Sequence, residues 1–393
     1  MSLLDWVVVG AAVALAISGY VEGFIVGACA TLGLLGGAAL GVWGVPKALD
    51  HFSPSVTVSF VALLLVVALA SFGRWRAAVI GAWLRNKMSW RPVRFLDALA
   101  GAALAAASAL IVAWVLGVAV SGARIPSVTS AVRGSQVLAK VDELLPNSAD
   151  RALQSFNDVV NTDLFPRFLD PFVPERIRDT QPPDSAIARQ QPVRDAYTRI
   201  AKVTGVASCS RGLEGSGFVY APKRVMTNAH VVAGVSSPQV EVNGKKYDAK
   251  VVVFDPETDI AVLYVSKLTD PAVKPLAFDL TGKADDPAVV LGYPENGPFD
   301  SEPARIRSEE RLRGPDIYGD KTVTREAFSI WASVRPGNSG GPLLSAKGVV
   351  YGVVFAASVE DNRTGYVLTA QQVADDARAG ASATQEVSTQ SCT

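Results

Sequence analysis

Histidine is nearly absent from this chain, with two among 393 residues, His51 and His230. Cysteine is almost as scarce at three, and the formal net charge is zero, from 37 basic and 37 acidic side chains. Each shortage excludes something. Three cysteines do not make a small disulfide scaffold. A neutral balance lacks the basic excess that bulk binding of DNA or RNA needs, so no nucleic-acid partner is expected. Metal-ligand clusters, phosphate-binding loops and nucleotide fingerprints are missing too, and no cofactor or metal is expected. Charge is also missing locally: residues 1–123 hold 7 basic and 4 acidic side chains, against 30 and 33 in residues 124–393. A single soluble globular domain is thereby excluded.

Four apolar stretches fill the uncharged third, at about 6–20, 24–45, 56–73 and 98–120. Each is long enough, or nearly so, to cross about 30 Å of hydrocarbon as a helix. The first is not read as a cleavable signal peptide, because no basic head precedes it and Asp5 stands there instead. Between Arg74 and Arg94 lie Arg74, Arg76, Arg85, Lys87, Arg91 and Arg94 with no acidic residue. Cytoplasmic loops carry such an excess. With that loop inside, the amino terminus and everything after about residue 123 lie outside, and the lipid bilayer is a partner. Gly19, Gly23 and Gly27, then Gly33, Gly37 and Gly41, recur at four-residue spacing, which suits close helix packing in lipid. Glu22 is expected in a short loop. The Gly-Tyr-Val-Glu-Gly-Phe stretch at 19–24 and the four-span layout resemble the membrane module of the colicin V production (CvpA) family.

Residues 124–196 read as a helical and proline-rich tether. Val132–Leu145 suits a helix ending at Pro146, and Ala149–Leu164 suits a second. Pro166, Pro171, Pro174, Pro182, Pro183 and Pro192 follow in polar sequence, and 178–195 is expected to be mobile and open to proteolysis.

From about residue 197 the pattern changes to short strands rich in β-branched residues and separated by turns, which favours an all-β barrel or sandwich. Three motifs fall inside it. Met-Thr-Asn-Ala-His-Val-Val (226–232) contains His230, the one imidazole outside the membrane third. Such a group can take and return a proton near neutrality. Asp255-Pro-Glu-Thr-Asp259-Ile-Ala-Val-Leu places Asp259 directly before an apolar strand, while Asp255 shapes a turn. Gly337-Asn-Ser339-Gly-Gly-Pro-Leu presents a hydroxyl on a glycine-rich turn, whose N–H groups can hold an oxyanion. Taken singly, each motif also suits a structural strand or turn. Together they run in the order His, Asp, Ser, which belongs to the chymotrypsin-like template and differs from the other two common serine orders.

The Thr-Asn-Ala-His-Val-Val, Thr-Asp-Ile-Ala-Val-Leu and Gly-Asn-Ser-Gly-Gly-Pro-Leu strings resemble those of trypsin-like serine proteases, nearest the HtrA-type bacterial branch. With its four spans, the whole chain resembles the membrane-anchored acid-resistance proteases of actinobacteria. The resemblance implies a multi-domain protein: a four-helix membrane bundle (1–123), the tether (124–196) and an all-β double-barrel protease domain (197–393). It implies that Ser339 is the nucleophile, His230 the base and then acid, and Asp259 the group that orients the imidazole. The N–H groups of Gly337 and Ser339 would form the oxyanion hole. Ser333 takes the place where trypsins carry the Asp that selects Lys or Arg, so a non-basic preference is expected. Asn338 replaces the Asp that pairs with a new amino terminus in propeptide-activated relatives. The substrates implied are proteins or peptides of the cell envelope, cut in envelope stress or acid resistance. An imidazole pKa near 6.5, raised further by a carboxylate, would silence the base in acid. Acid sensing is therefore expected to precede catalysis, through cleavage at 178–195 or partner release. No PDZ module is expected after so short a tail.

Cys29 lies in a span, whereas Cys209 and Cys392 are the external pair and are expected to bridge. Plain stapling and a redox role both remain open for that bridge. Two competing readings of the chain stand beside the peptidase: a channel- or transport-associated membrane protein, and an inactive protease fold that binds partners.

Overall fold

A computed structural model describes residues 1–49, 56–121, 126–145 and 172–392. His51, Pro166, Pro171 and the helix expected over 149–164 lie outside the described residues. Two compact units emerge, Met1–Gly117 with Ser135–Leu144, and Val118–Gly134 with Leu145–Thr393.

In the first unit, α1 (Leu3–Glu22), α2 (Phe24–Leu49), α3 (Val56–Asn86) and α4 (Arg91–Ser121) each contain a stretch long and apolar enough to cross a membrane. The small-residue spacing has a visible use: a side chain added at Gly33 would collide with Gly73, and one added at Gly19 would collide with Gly101. Backbones meet there because nothing stands between them. Asp97 is 7% exposed; it pairs with Arg85 Nε at 2.8 Å and accepts the Ile25 N–H at 2.9 Å. The same guanidinium donates to the Val21 and Glu22 carbonyls, both at 2.5 Å. One ion pair thus ties the α1–α2 turn to the α3–α4 connection, which puts both on one side of the bundle. At the other end Asp5 caps α1 with Ser2. Its carboxylate also accepts from Ser135 Oγ at 2.6 Å and the Val137 N–H at 3.2 Å, at the start of α6 (Gln136–Leu144). The single helix expected over 132–145 is interrupted: α5 (Pro126–Arg133) ends at Gly134 before α6 begins.

The second unit holds thirteen described strands: β1 (Ile200–Val206), β2 (Gly212–Ala221), β3 (Arg224–Thr227), β4 (Gln239–Val242), β5 (Lys245–Asp248), β6 (Lys250–Asp255), β7 (Ile260–Tyr264), β8 (Pro287–Gly292), β9 (Asp300–Pro315), β10 (Thr322–Trp331), β11 (Pro342–Ser345), β12 (Val350–Ala357) and β13 (Thr364–Thr369). The first seven make one curled sheet in the order β5-β4-β1-β2-β3-β7-β6, and the remaining six close as β10-β13-β12-β11-β8-β9. Helix α7 (Gln191–Ala196) precedes β1, and α8 (Ala374–Ser382) packs across β3, β6 and β7.

The expectation that 178–195 is a loose tether does not hold. Ile187, Val193 and Ala196 are fully buried and join Phe218, Leu291 and Leu344 in one core cluster. Thr180 Oγ1 donates to Asp285 at 2.6 Å, and Arg305 donates to the Pro182 carbonyl at 3.2 Å. Just upstream, Glu175 accepts from Tyr366 Oη at 2.8 Å and from the Val359 N–H at 3.2 Å. A few apolar side chains among the prolines suffice to seat the segment, because the proline-fixed backbone has little entropy left to lose.

Candidate active site

Strands β3 and β7 pair, with Thr227 opposite Ala261, so the residues just beyond their paired ends lie side by side. Those residues are Asn228–His230 and Asp259. Asp259 has φ +66°, a left-handed conformation that Asp adopts more readily than most residues. Asn228 holds it there by donating from Nδ2 to the Asp259 carbonyl at 2.8 Å. The carboxylate then faces His230: Oδ1 accepts the His230 backbone N–H at 3.0 Å, and Oδ2 lies 2.8 Å from Nδ1. Asp259 is wholly buried and the His230 side chain is 10% exposed. An ionised carboxylate only accepts, so this geometry suits the tautomer with its proton on Nδ1 and its lone pair on Nε2.

Ser339 comes from the other barrel, on the turn between β10 and β11. Gly337 and Gly340 there have φ of +88° and +83°. A Cβ at Gly337 would sit 2.5 Å from the Tyr293 carbonyl oxygen, and one at Gly340 would collide with Ser216 O and Thr227 Oγ1. Only glycine fits at either position. The turn is seated on Ser216 of β2, whose N–H donates to the Ser339 carbonyl at 2.8 Å. The Ser216 hydroxyl donates to the Gly337 carbonyl at 2.6 Å and accepts the Tyr293 N–H at 2.8 Å. Neighbouring Gly215 is squeezed between the two halves of the site. A Cβ there would lie 3.0 Å from the Ser339 carbonyl oxygen and 2.6 Å from a Val231 methyl. His230 and Asp259 are therefore in direct contact, and Ser339 is brought to the same segment through Gly215 and Ser216.

The N–H groups of Gly337 and Ser339 donate to no other group among the described residues. The peptide carrying the first of them is fixed from its far side: the Pro336 carbonyl accepts the Glu295 N–H at 2.7 Å. Glu295 and Asn296 both have φ of +54°, and Lys202 Nζ donates to the Asn296 carbonyl at 2.6 Å. Ser333 is exposed, and its N–H points to Glu302 Oε1 at 3.4 Å. Arg335 pairs with Asp300 beside it. Cys209 and Cys392 form a disulfide with Cα atoms 6.4 Å apart. Among the described residues no group of three His, Cys, Asp or Glu could hold a metal ion.

A family model described as a trypsin-like peptidase domain matches residues 215–353, and one described as colicin V production protein matches residues 4–146. Serine protease Rv3671c of Mycobacterium tuberculosis (strain ATCC 25618 / H37Rv) is 39% identical over 394 residues, spanning 99% of this chain and 98% of its own length. The chain belongs to the Rv3671c family of serine proteases. The crystal structure of the active form of the Rv3671c protease superposes with a TM-score of 0.53 at 45% identity, covering 57% of this chain and 98% of that one. Serine protease Do-like HtrA of Lactococcus lactis subsp. cremoris (strain MG1363) is 32% identical over 174 residues, which covers 41% of this chain and 43% of the relative. Membership makes this Rv3671c-family chain a serine endopeptidase with an HtrA-like, chymotrypsin-like protease fold and a colicin V production type membrane region. It favours the enzyme over the channel-associated and binding-only readings.

Sequence reasoning missed three supports of this Rv3671c-family site: Ser216, the Glu295 turn and the side chain of Asn228. A signal for the first was present in Gly215-Ser216-Gly217. Three small residues in a row inside a strand mark a place where other backbone comes close.

Proposed function

We propose that the protein is a membrane-tethered peptidase that cleaves protein or peptide substrates of the cell envelope through His230, Asp259 and Ser339. The 2.8 Å approach of Asp259 Oδ2 to His230 Nδ1 carries this reading, because it leaves Nε2 as the base. Ser339 Oγ attacks the scissile carbonyl carbon while its proton passes to Nε2. The N–H groups of Gly337 and Ser339 receive the oxyanion of the tetrahedral intermediate. As that intermediate collapses, Nε2 returns the proton to the leaving amine and an acyl-enzyme remains on Ser339. Water then repeats the sequence and releases the acid.

On the same reading, residues 1–123 anchor the enzyme in the plasma membrane and the segment from 124 leads to a catalytic domain outside the cytoplasm. The basic residues from Arg74 to Arg94, on the end of α3, in the turn after it and at the start of α4, support that orientation. Envelope stress or acid resistance is the setting we assign, and Ser333 favours non-basic residues before the cut. Peptide-library cleavage by the full chain tests the proposal. Cleavage after non-basic residues that vanishes in Ser339→Ala is expected; cleavage unaffected by that change would overturn it.

A further inference from the structure

Arg325 lies in β10 of the closed barrel and is 1% exposed, a burial that arginine rarely accepts without partners. Its Nε donates to the Glu257 carbonyl at 2.8 Å and Nη1 to the Pro315 carbonyl at 3.0 Å. Glu257 belongs to the other sheet, in the turn that leads from β6 to Asp259 and β7. Asp255 shapes that turn from within, accepting the N–H groups of Glu257 at 2.8 Å and Thr258 at 3.1 Å. The β9–β10 hairpin clamps it from outside. Ile317 N–H donates to the Pro256 carbonyl at 3.3 Å, Lys321 pairs with the Glu257 carboxylate, and Arg325 holds the Glu257 carbonyl. Two residues further on, Asp259 takes its left-handed conformation and turns its carboxylate to His230. The backbone that Arg325 grips is the backbone that aims this carboxylate.

The guanidinium is also a charge. Asp259, Asp316 and Asp255 act on it through space, Asp259 most strongly of the three. Lys321 pairs with Glu257 at the rim of the turn, and the charge of Asp255 also acts on Asp376 of α8. Burial opposes the guanidinium's charge and the carboxylates sustain it.

We propose that Arg325 is a positioning residue for the His230–Asp259 pair, holding the Asp259 turn through the Glu257 carbonyl and placing a permanent buried cation beside the carboxylate. This rests on the triad reading and deepens it. A carboxylate against an imidazole raises the imidazole's affinity for a proton, and a neighbouring cation offsets part of that rise.

The test is the pH dependence of kcat/KM for the full chain and its Arg325→Met and Arg325→Lys variants, since the acid limb of kcat/KM reports the base of the free enzyme. Met is expected to move the limb upward by roughly one pH unit and to lower the plateau. Lys, which keeps the charge but not the planar fork, is expected to lower the plateau and leave the limb in place. A Met variant with an unmoved limb overturns the proposal, as does a Lys variant whose limb moves as far as that of Met. Should Met not fold, Arg325→Gln, which keeps a polar amide near the Glu257 carbonyl but not the charge, takes its place: an upward-moved limb supports the proposal and an unmoved limb overturns it. The His230 ring titration, followed by NMR in Ser339→Ala with His51→Gln, reads the same shift without activity. Wild-type chain lacking Ser339-dependent cleavage would instead defeat the triad reading.

Discussion

The hydroxyl of Ser216 donates to the carbonyl of Gly337 at 2.6 Å, so a strand of the first sheet holds the turn of the second barrel that carries Ser339. The two halves of a site drawn from two barrels need such a fastening, because no covalent link sets their spacing. Ser216→Ala leaves the Tyr293 N–H without its acceptor and frees the Gly337 carbonyl. It is expected to destabilise the protein by about 1–3 kcal/mol in urea unfolding. If about 1.4 kcal/mol of that reaches the barrier, kcat falls about tenfold. A variant with wild-type stability and kcat would deny Ser216 this role.

Gly340→Ala tests the seat of the turn. The added methyl meets the Ser216 carbonyl and Thr227, and φ is +83°. Strain of roughly 1–3 kcal/mol is expected, seen as a lower Tm and weaker turnover. Gly212→Ala is the control: a Cβ there meets nothing within 4 Å, and a change within about 0.5 kcal/mol is expected.

Acid should tighten the packing of α8. Burial pushes the Asp376 carboxyl from 3.8 up to about 7, and the charges of Asp255 and Asp375 add to the rise. The folded state therefore binds this proton more strongly than the unfolded state. The stability it contributes is complete below pH 3.8 and is lost as pH rises through about 7. Asp376→Asn is expected to flatten the loss of stability between those limits and to raise Tm above pH 7. Equal Tm values for both proteins at pH 8 would contradict it.

Reduction of the disulfide should cost stability. Cys209 and Cys392 are 183 residues apart, and in the chain-entropy model closing such a loop contributes roughly 5 kcal/mol. The tail is also held where it lies: the Gly234 N–H donates to the Thr389 carbonyl at 3.0 Å, and Tyr318 Oη donates to the Ser391 carbonyl at 3.0 Å. Cys392→Ser, or wild type with reductant, is expected to show a clearly lower Tm. An unchanged Tm on complete reduction would refute the stapling role.

Much of the fold was legible because short runs of β-branched residues between turns mark buried strands. The β-branched runs over β6, β7, β8 and β12 pointed to a β domain, and the motifs at its strand ends pointed to the candidate site. Two of the strands that escaped notice are informative. β5 is a four-residue edge with little burial, so it carries no apolar signal. β9 reads Asp-Ser-Glu-Pro-Ala-Arg-Ile-Arg-Ser-Glu-Glu-Arg, which looks like a solvated loop. Its Arg307 is nevertheless buried, with the guanidinium 4.8 Å from the Trp331 ring. Pairing and stacking supply what apolar alternation usually supplies, and composition does not reveal them. Arg325 was missed for the same reason, since a buried arginine is defined by its tertiary partners and not by its neighbours in sequence. The packed 178–195 segment was misjudged because its prolines spoke louder than Ile187 and Val193.

The most direct test of the account is fluorophosphonate labelling of the full chain, with the modified residue located by peptide mapping. Stoichiometric modification of Ser339 is expected, with the labelling rate falling by about 10⁴-fold in Asp259→Asn and no labelling in Ser339→Ala. Probe bound to another residue, or labelling of Ser339 at an undiminished rate in Asp259→Asn and His230→Ala, would contradict the assignment of these three residues to one catalytic centre.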